Sequence, residues 1–448
     1  MLLTVALPIM IQNGITNLVS LLDNIMIGRV GTEQMSGVAI VNQIMFIFFL
    51  ALFGGMSGPG IYTAQYYGFH DDEGIRNTFR YKLWLGVIIT GAAIAIMAIF
   101  GTDLISLFLN ESEGGGDLQA TLRYGLDYMH LIFWGLPFIL LGFAYSSTLR
   151  ECGETMVPMK AGMVALLVNL SFNYLLIYGK FGFPKMGVRG AAVATDLARI
   201  VECAIIMIWA HTHSREHTYM KGLFRTLLVP ISAAKRFFIT GMPLLINETL
   251  WALGIFLQNQ AYSLRGLNAV AAQNISNTIN NVFSIAFMAL GDAVAIIVGQ
   301  LLGAGKMEEA KRTDTRIIFS SVVVGLLCMV AMIISAPLYP RFYNTSEDVK
   351  QLATLFLIVQ AIAIPKEAFL HTTYFTIRSG GKTIITFFFD SVFMMLVSVP
   401  AAFLLSRFTN LHVVVIFAIV HALDLIKCLV GYVLVRKNVW MKNIVKET

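Results

Sequence analysis

The chain has 448 residues, of which 57% are apolar and only 13% are charged, and its mean hydropathy is +0.73. Soluble domains average about 25% charged residues, so this composition excludes a soluble globular protein. A disordered chain is also excluded, because the chain contains enough Leu, Ile, Val and Phe to bury an apolar core. Four cysteines are too few for a disulfide framework and show no zinc-ligand spacing. The composition therefore predicts an all-α polytopic membrane protein.

Hydrophobic runs long enough to cross a bilayer recur along the whole chain. A membrane helix needs about 20 mostly apolar residues, whereas the strands of a membrane barrel are short and alternating. The first run lacks a basic leading segment and a cleavage site, so we expect a span there and not a signal peptide. The pattern predicts twelve transmembrane helices, at residues 2–27, 38–66, 83–108, 125–149, 158–179, 190–212, 238–263, 270–302, 317–340, 351–377, 383–405 and 411–435.

Lysine and arginine are divided unevenly between the two sides of these spans. The loops after the even-numbered spans and the last segment hold 20 of them, the other loops hold nine, and three lie inside spans. The positive-inside rule then places both termini in the cytoplasm of a multi-pass protein of the inner (plasma) membrane. The acidic stretch 111–117 falls on the outer side. The net charge of +6 follows from this topology, and nucleic acid is not an expected partner.

The two halves of the chain share an internal repeat. Marker residues of spans one and two recur 235 positions later, and further matches follow in the same order at offsets of 228 and 225. The repeat predicts an N-terminal lobe at 1–215, a cytoplasmic linker at 216–237 and a C-terminal lobe at 238–448. Six spans in each lobe make them parallel repeats around a pseudo-two-fold axis, as in one class of secondary transporter. The pairs at offset 235 are Pro8 and Pro243, Gly31 and Gly266, Asn42 and Asn277, Gln65 and Gln300, and Gly68 and Gly303.

Six segments carry a family resemblance. They are LPIMIQNGITNLVSLLDNIMIGRVG (7–31), LRECGET (149–155), MGVRGAAVAT (186–195), GMPLLINETLW (241–251), AVAIIVGQLLGAGKMEEAKR (293–312) and IRSGGKT (377–383). With them the sequence resembles the bacterial multidrug and toxic compound extrusion (MATE) transporters. The resemblance implies an antiporter, not an enzyme, that exports amphipathic, often cationic drugs and toxic compounds by alternating access in exchange for Na⁺ or H⁺. We expect a monomer in the lipid bilayer with no cofactor beyond the coupling ion.

Placing an ionisable side chain deep in a membrane span costs free energy, so such a residue is expected to have a function. Asp23 lies in span one, where the resemblance implies a cation site with partners at Asn169, Asn173 and Thr195. Asn169 and Asn173 are four residues apart and share one helical face. A carboxylate, two amide oxygens and a hydroxyl are hard donors that suit Na⁺, and a lone carboxylate can equally carry a proton. The alternative is that the asparagines only bridge helices by hydrogen bonds.

Two further carboxylates lie in mid-span in the C-terminal lobe. The resemblance implies that Glu248 and Glu367 line its cavity and take part in Na⁺ or H⁺ coupling; the alternative is a helix-bridging role. Lys366 is the neighbour of Glu367, but adjacent helix residues point about 100° apart, so it need not neutralise that carboxylate. Lys366 could instead pair with Glu248 or Asp390, or extend along the cavity.

Adaptable aromatic and methionine side chains suit a site for varied apolar ligands, although most of these residues pack in the core or face lipid. The candidates for the substrate cavity are Phe133, Trp134, Met288, Tyr374, Asp390 and Met395.

Pro137 and Pro365 occupy equivalent spans and predict helix kinks, because proline removes a helical hydrogen bond.

The remaining charged residues inside spans bear on a rival function. Arg199 and Glu202 are three residues apart, and Asp424 and Lys427 repeat this spacing with inverted sign. This pattern predicts ion pairs that serve as scaffold or as contacts between the lobes. No phosphate-binding loop of the form G-x-x-x-x-G-K-[ST] is present, which disfavours ATP-driven export. The rival is a flippase or exporter of lipids or lipid-linked saccharides in the same superfamily. It should carry cavity arginines for pyrophosphate, whereas the spans hold only Arg199, Lys366 and Lys427 as cations.

Overall fold

The computed structural model describes residues 2–109, 117–343 and 345–446, so most of the acidic stretch 111–117 lies outside the described residues. The first half contains α1 (Leu2–Gly28), α2 (Thr32–Phe69), α3 (Asp72–Ser106), α4 (Leu118–Ile132), α5 (Leu136–Glu151), α6 (Met156–Tyr178) and α7 (Val188–Thr212). The second half contains α8 (Ile231–Ser263), α9 (Leu267–Gly303), α10 (Met307–Ser335), α11 (Glu347–Ser379), α12 (Thr383–Phe387), α13 (Val399–Phe408) and α14 (Val413–Arg436).

These helices account for the twelve predicted spans. Ten of the described helical segments are long and apolar enough to cross a membrane, and α4 with α5, bent by 54° at a short break, forms an eleventh. α7, which is 25 residues long, matches the sixth predicted span, 190–212, but is not among these segments. It carries Asp196, Arg199 and Glu202 in its middle. The predicted all-α membrane fold, with twelve spans in two lobes of six, is confirmed.

The span Thr383–Phe408 departs from a regular α-helix. π-helical stretches at Phe388–Val392 and Met394–Ser398 separate α12 from α13. A π-helical turn leaves the regular bonding ladder and is common at functional sites. Asp390 lies in the first of these stretches, so its position relative to the neighbouring helices differs from the one that regular helix geometry would give.

The chain divides into two compact units. The N-terminal unit comprises 11–63 and 72–237, and in it α7 packs against α4, α5 and α6. The C-terminal unit comprises 238–448 together with 1–10 and 64–71, and in it α11 packs against α9, α10 and α14. The basic segment 216–237 is thus part of the N-terminal unit.

Each unit buries its own apolar core. In the N-terminal unit the rings of Phe79 and Tyr145 meet edge to face with centroids 4.8 Å apart. In the C-terminal unit Phe417 packs against Phe356 at 4.8 Å and against Tyr262 at 5.4 Å. Such aromatic pairs contribute about 0.5–1.5 kcal/mol beyond the area they bury. These contacts hold the helices in place and so position the polar side chains between them.

Repeat-related glycines allow two helices of the C-terminal unit to touch backbone to backbone. A Cβ atom on Gly68 would collide with the backbone oxygen of Gln300, and one on Gly303 would collide with that of Gln65. The end of α2 and the end of α9 therefore meet through residues that correspond to each other in the repeat. Close approach of two helices requires small residues at the contact, and here only glycine fits.

One buried side chain ties the end of α2 to the last segment of the chain. The Gln65 side chain is fully buried; its amide donates to the backbone oxygens of Ser379 at 2.9 Å and Lys442 at 3.1 Å. Its carbonyl accepts the backbone N–H of Ile444 at 2.8 Å. Trp440, only 1% exposed, anchors the same segment. The residues after α14 are therefore part of the packed C-terminal unit.

We expect Gln65→Leu to lower the free energy of unfolding by about 2–4 kcal/mol, because each buried backbone group left without a partner costs about 1–3 kcal/mol. The check is thermal unfolding of the purified protein in detergent, followed by tryptophan fluorescence. Gln119→Leu, at an exposed position on α4, is the matched control and should leave the melting temperature unchanged. Equal melting temperatures for Gln65→Leu and the natural protein would contradict the role assigned to this side chain.

Candidate functional site

Asp23 is connected to residues of two other helices in the N-terminal unit. On α6, Nδ2 of Asn173 donates to Oδ1 of Asp23 at 2.5 Å and to Oδ1 of Asn169 at 3.0 Å. Nδ2 of Asn169 in turn lies 3.5 Å from the hydroxyl of Thr195 on α7. The structure thus brings the four residues that the sequence analysis grouped as a cation site into one connected cluster, the Asp23 cluster.

The two asparagines of the Asp23 cluster are buried, and one of them holds an unused acceptor, whereas Asp23 and Thr195 are half-buried. Asn169 and Asn173 are 2% and 0% exposed, and Oδ1 of Asn173 has no hydrogen-bond partner among the described residues. A buried carbonyl oxygen without a partner is costly and calls for an explanation. No three His, Cys, Asp or Glu side chains within 2–109, 117–343 and 345–446 form a metal-binding group. A cation at Asp23 would therefore depend on amide and hydroxyl oxygens, which are hard donors.

Two other acidic residues lie near the Asp23 cluster. Nη1 of Arg199 is 2.8 Å from Oε2 of Glu202, so the ion pair expected from their spacing is present. The Arg199 charge also reaches Asp23 electrostatically. Asp196 is 8% exposed, and its Oδ1 lies against Gly135 at the break between α4 and α5 and has no hydrogen-bond partner in the described part of the chain. Within that part, neither Asp23 nor Asp196 has an ion-pair partner at short range.

In the C-terminal unit, Glu367 belongs to a group of ionisable side chains on α11 and α14. Nζ of Lys366 lies 2.9 Å from Oδ2 of Asp424 and 3.8 Å from Oε1 of Glu367. Nδ1 of His421 lies 3.4 Å from the same Glu367 oxygen. The four side chains are between 11% and 27% exposed. We call these four residues the Lys366 group.

A second polar group of the same unit is centred on Asp390. Nζ of Lys427 on α14 lies 3.0 Å from Oδ1 of Asp390, and Nδ2 of Asn247 on α8 donates to Oδ2 at 3.2 Å. The Asn247 amide also donates to the hydroxyl of Tyr374 at 3.3 Å. Asn247 further accepts a hydrogen bond from the hydroxyl of Ser391 at 2.7 Å. Asp390 and Tyr374, two cavity candidates, are therefore linked through Asn247, which the sequence analysis did not single out.

One expected pairing in the C-terminal unit is wrong, and the short contact of Lys366 is with a residue that the sequence had not suggested. Asp424 and Lys427 do not pair with each other along α14, because each contacts a residue of a different span. Lys366 pairs with neither Glu248 nor Asp390, and its partner is Asp424. The physical reason is that α14 packs against both α11 and the π-helical stretches, which offers its charged residues partners on two sides.

Glu248 and Glu367 have different neighbours. Glu248 is half-buried on α8, next to Asn247, and its electrostatic neighbours are Arg378 and Asp390. Glu367 contacts Lys366 and His421. A shared role of the two carboxylates in coupling stays a prediction.

The remaining cavity candidates are divided between the two units. Phe133 and Trp134 form the break between α4 and α5, and Trp134 is 76% exposed. In the C-terminal unit, Met288 on α9 is 41% exposed and Met395 is half-buried in the second π-helical stretch. Tyr374 is buried at 8%.

An apolar groove of about 400 Å³ lies beside the π-helical stretches. Lys427 is the charged residue at its wall, and none of the six cavity candidates borders it. The residues that line it are Ile384, Ile385, Phe388, Phe389, Phe393, Lys427, Val430 and Leu434.

The two mid-span prolines have different surroundings. Pro137 is the second residue of α5, directly after the 54° bend, where its missing N–H leaves no helical bond unmade. Pro365 lies inside α11, which continues through it from Glu347 to Ser379. Lys366 and Glu367 follow Pro365 immediately, so they lie at the point where the proline removes a backbone hydrogen bond.

Carboxylates between the helices of a membrane-spanning protein suit a transporter, and the comparison with protein families identifies one. The MatE family model matches residues 8–175 and 243–404, so the chain belongs to the MatE family of transporters. It is 26% identical to a probable multidrug resistance protein NorM of Thermotoga maritima over 419 residues, 92% of this chain and 86% of that protein. It is 24% identical to a probable multidrug resistance protein YoeA of Bacillus subtilis over 411 residues, 91% of this chain and 86% of that protein.

Solved structures share the fold. A MATE transporter in the bent conformation superposes with a TM-score of 0.86 at 18% identity, over 98% of this chain and 94% of that one. A MOP superfamily transporter from Pyrococcus furiosus superposes with a TM-score of 0.84 at 19% identity, over 98% and 95%. The expected family and fold class are thereby confirmed.

Proposed function

We propose that this transporter exports amphipathic, often cationic compounds by alternating access, in antiport with Na⁺ or H⁺. The proposal is supported by the family and by relatives that are called multidrug resistance proteins. The transporter is proposed to work as a monomer in the inner membrane. The excess of Lys and Arg on one side of the spans supports a cytoplasmic position for both termini.

The observation that carries the proposal is the Asp23 cluster. Among residues 2–109, 117–343 and 345–446, Asp23 has no short-range ion-pair partner, and the buried Oδ1 of Asn173 beside it has no hydrogen-bond partner. Asp23, Asn169, Asn173 and Thr195 together present the hard oxygen donors that a Na⁺ ion prefers. A proton on Asp23 would satisfy the same carboxylate without using the other oxygens. The cluster therefore suits an inward-moving cation of either kind.

The carboxylates of the C-terminal unit are proposed to bind the cationic end of the drug or a coupling ion. Glu248 and Glu367 are each only partly exposed, so a cation that reaches them leaves water and gains a strong interaction. Aromatic and Met side chains such as Tyr374, Met288 and Met395 would take the apolar part. Phe133, Trp134 and Asp390 complete the proposed drug-binding residues.

Coupling requires only that ion and drug favour different states of the transporter. The outward-facing state takes up the cation at the Asp23 cluster and at Glu248 and Glu367. The bound ion lowers the affinity for the drug, which leaves outward. The inward-facing state then releases the ion and binds drug from the cytoplasm. The bend before Pro137 and the proline within α11, Pro365, are proposed to take part in this exchange of states.

The observed ion pairs make the lipid or lipid-linked saccharide exporter the weaker alternative. A pyrophosphate group needs cations that are available to it. Arg199, Lys366 and Lys427 each contact a carboxylate, at 2.8, 2.9 and 3.0 Å respectively. Binding a pyrophosphate at any of them would first require breaking an ion pair in a low-dielectric region.

The proposed export is tested in a bacterial strain that lacks its own drug exporters. We expect expression of the protein to raise resistance to ethidium and to drive energy-dependent ethidium efflux, followed by fluorescence. Collapse of the ion gradients by an ionophore should abolish the efflux. Resistance and efflux equal to those of cells with an empty vector, with the protein present in the membrane, would contradict the proposal.

A further inference from the structure

Lys366 is placed between two carboxylates that belong to different helices. Its ammonium is 2.9 Å from Asp424 on α14 and 3.8 Å from Glu367 on α11. The Lys366 side chain is 11% exposed, so water screens these interactions only in part. An ammonium has three donors on a flexible four-carbon stem and can turn from one oxygen to another. The two distances correspond to an ammonium that is bonded to Asp424 and lies one small displacement away from Glu367.

The basic neighbours of Glu367 in the Lys366 group are a lysine and a histidine. Its Oε1 faces Lys366 from its own helix and the Nδ1 of His421 from α14. Lys427, farther along α14, adds an electrostatic attraction but is bonded to Asp390. The position at which an external cation would contact Glu367 is thus next to a cation that the protein carries itself.

We propose that Lys366 is a tethered cation that competes with cationic substrate for Glu367. When Lys366 lies toward Glu367, the carboxylate is neutralised and a cationic drug is released. When Lys366 turns fully to Asp424, Glu367 is available to the drug. The coupling ion then binds at the Asp23 cluster. At Glu367, the ammonium of Lys366 neutralises the carboxylate in place of a second coupling ion. Lys366 thereby controls whether a cationic substrate can bind at Glu367 in the C-terminal unit.

This inference rests on the proposed function but has its own readout, which is equilibrium binding and not transport. Removing the ammonium in Lys366→Gln leaves Glu367 and Asp424 without their shared cation. We expect the affinity of the purified protein for ethidium to rise about tenfold, the equivalent of one released charge-assisted hydrogen bond. Lys366→Arg keeps the charge and should bind ethidium as the natural protein does.

The experiment measures ethidium binding by fluorescence anisotropy with the full-length protein in detergent. Lys350→Gln is the matched control, because Lys350 lies on the same helix and pairs with Glu347 at 2.8 Å, away from the Lys366 group. The double variant Lys366→Gln with Glu367→Gln should lose the gain in affinity. Thermal unfolding checks that each variant is folded; if Lys366→Gln is not, Lys366→Met replaces it with the same expectation.

Three results would overturn the inference. They are an unchanged ethidium affinity in Lys366→Gln, a gain that persists in the double variant with Glu367→Gln, and a similar gain in the Lys350→Gln control. Absence of binding by both the natural protein and Lys366→Gln also contradicts it, since the variant is expected to bind. Failure of the proposed function would show differently, as absence of gradient-driven efflux by a protein whose Lys366 variants still differ in binding.

Discussion

Asp23→Asn is expected to abolish ion-coupled drug export while the protein remains folded and present in the membrane. The substitution keeps the size of the side chain but removes the charge that a cation or proton needs. A contact to a charged group is worth about 1.5–3 kcal/mol, which corresponds to roughly 10- to 150-fold in ion affinity. Ethidium efflux should fall to the level of cells without the transporter. The amide can still accept the hydrogen bond from Asn173, so a loss of folding is not expected.

The matched control for Asp23→Asn is Asp103→Asn, because Asp103 is exposed near the end of α3. That control should retain full efflux. Asn173→Ala provides a graded comparison: it removes an uncharged member of the Asp23 cluster and should weaken ion dependence without abolishing export. Efflux at the natural rate in Asp23→Asn, with equal protein levels, would mean that coupling does not use this carboxylate.

Glu248→Gln and Glu367→Gln are each expected to abolish resistance to cationic drugs with expression intact. Either glutamate, when neutral, can no longer attract the cationic end of a drug in a region that is only partly hydrated. The loss of one such contact is expected to weaken drug binding by roughly 10- to 150-fold. The two substitutions affect different neighbours. Glu367→Gln removes a carboxylate from Lys366 and His421, whereas Glu248 has Arg378 and Asp390 as its neighbours.

Resistance is measured as growth in the presence of ethidium, and the amount of each variant in the membrane is measured in parallel. Glu308→Gln is the matched control, since Glu308 is an exposed residue in the first turn of α10. Full resistance in both Glu248→Gln and Glu367→Gln would exclude a drug or ion site at these carboxylates. Loss of resistance in the Glu308→Gln control would show that the assay reports expression instead.

The spans and the Asp23 cluster could be predicted from the sequence for physical reasons. A hydrophobic run of about 20 residues has few alternatives to a membrane helix. The i,i+4 spacing of Asn169 and Asn173 puts both amides on one face, and the resemblance supplied Asp23 and Thr195 as the partners across helices. Arg199 and Glu202 were predictable in the same way, because both partners lie on one helix.

The ion pairs of the C-terminal unit could not be predicted from spacing alone. Asp424 and Lys427 have the same spacing as Arg199 and Glu202, yet each contacts a different neighbouring span. Which partner is nearer depends on helix packing and on the π-helical stretch that carries Asp390, and neither leaves a clear periodic signal in the sequence. The participation of His421 is equally non-local, because it lies 54 residues after Glu367.

The most direct test of the account is ethidium efflux from liposomes that contain the purified natural protein or Asp23→Asn. An imposed Na⁺ gradient and an imposed pH gradient are compared with each other and with no gradient. The account predicts that at least one gradient accelerates efflux by the natural protein and that neither does so for Asp23→Asn. Efflux by the natural protein that is equally fast without any gradient, or efflux by Asp23→Asn that responds to a gradient as the natural protein does, would contradict it.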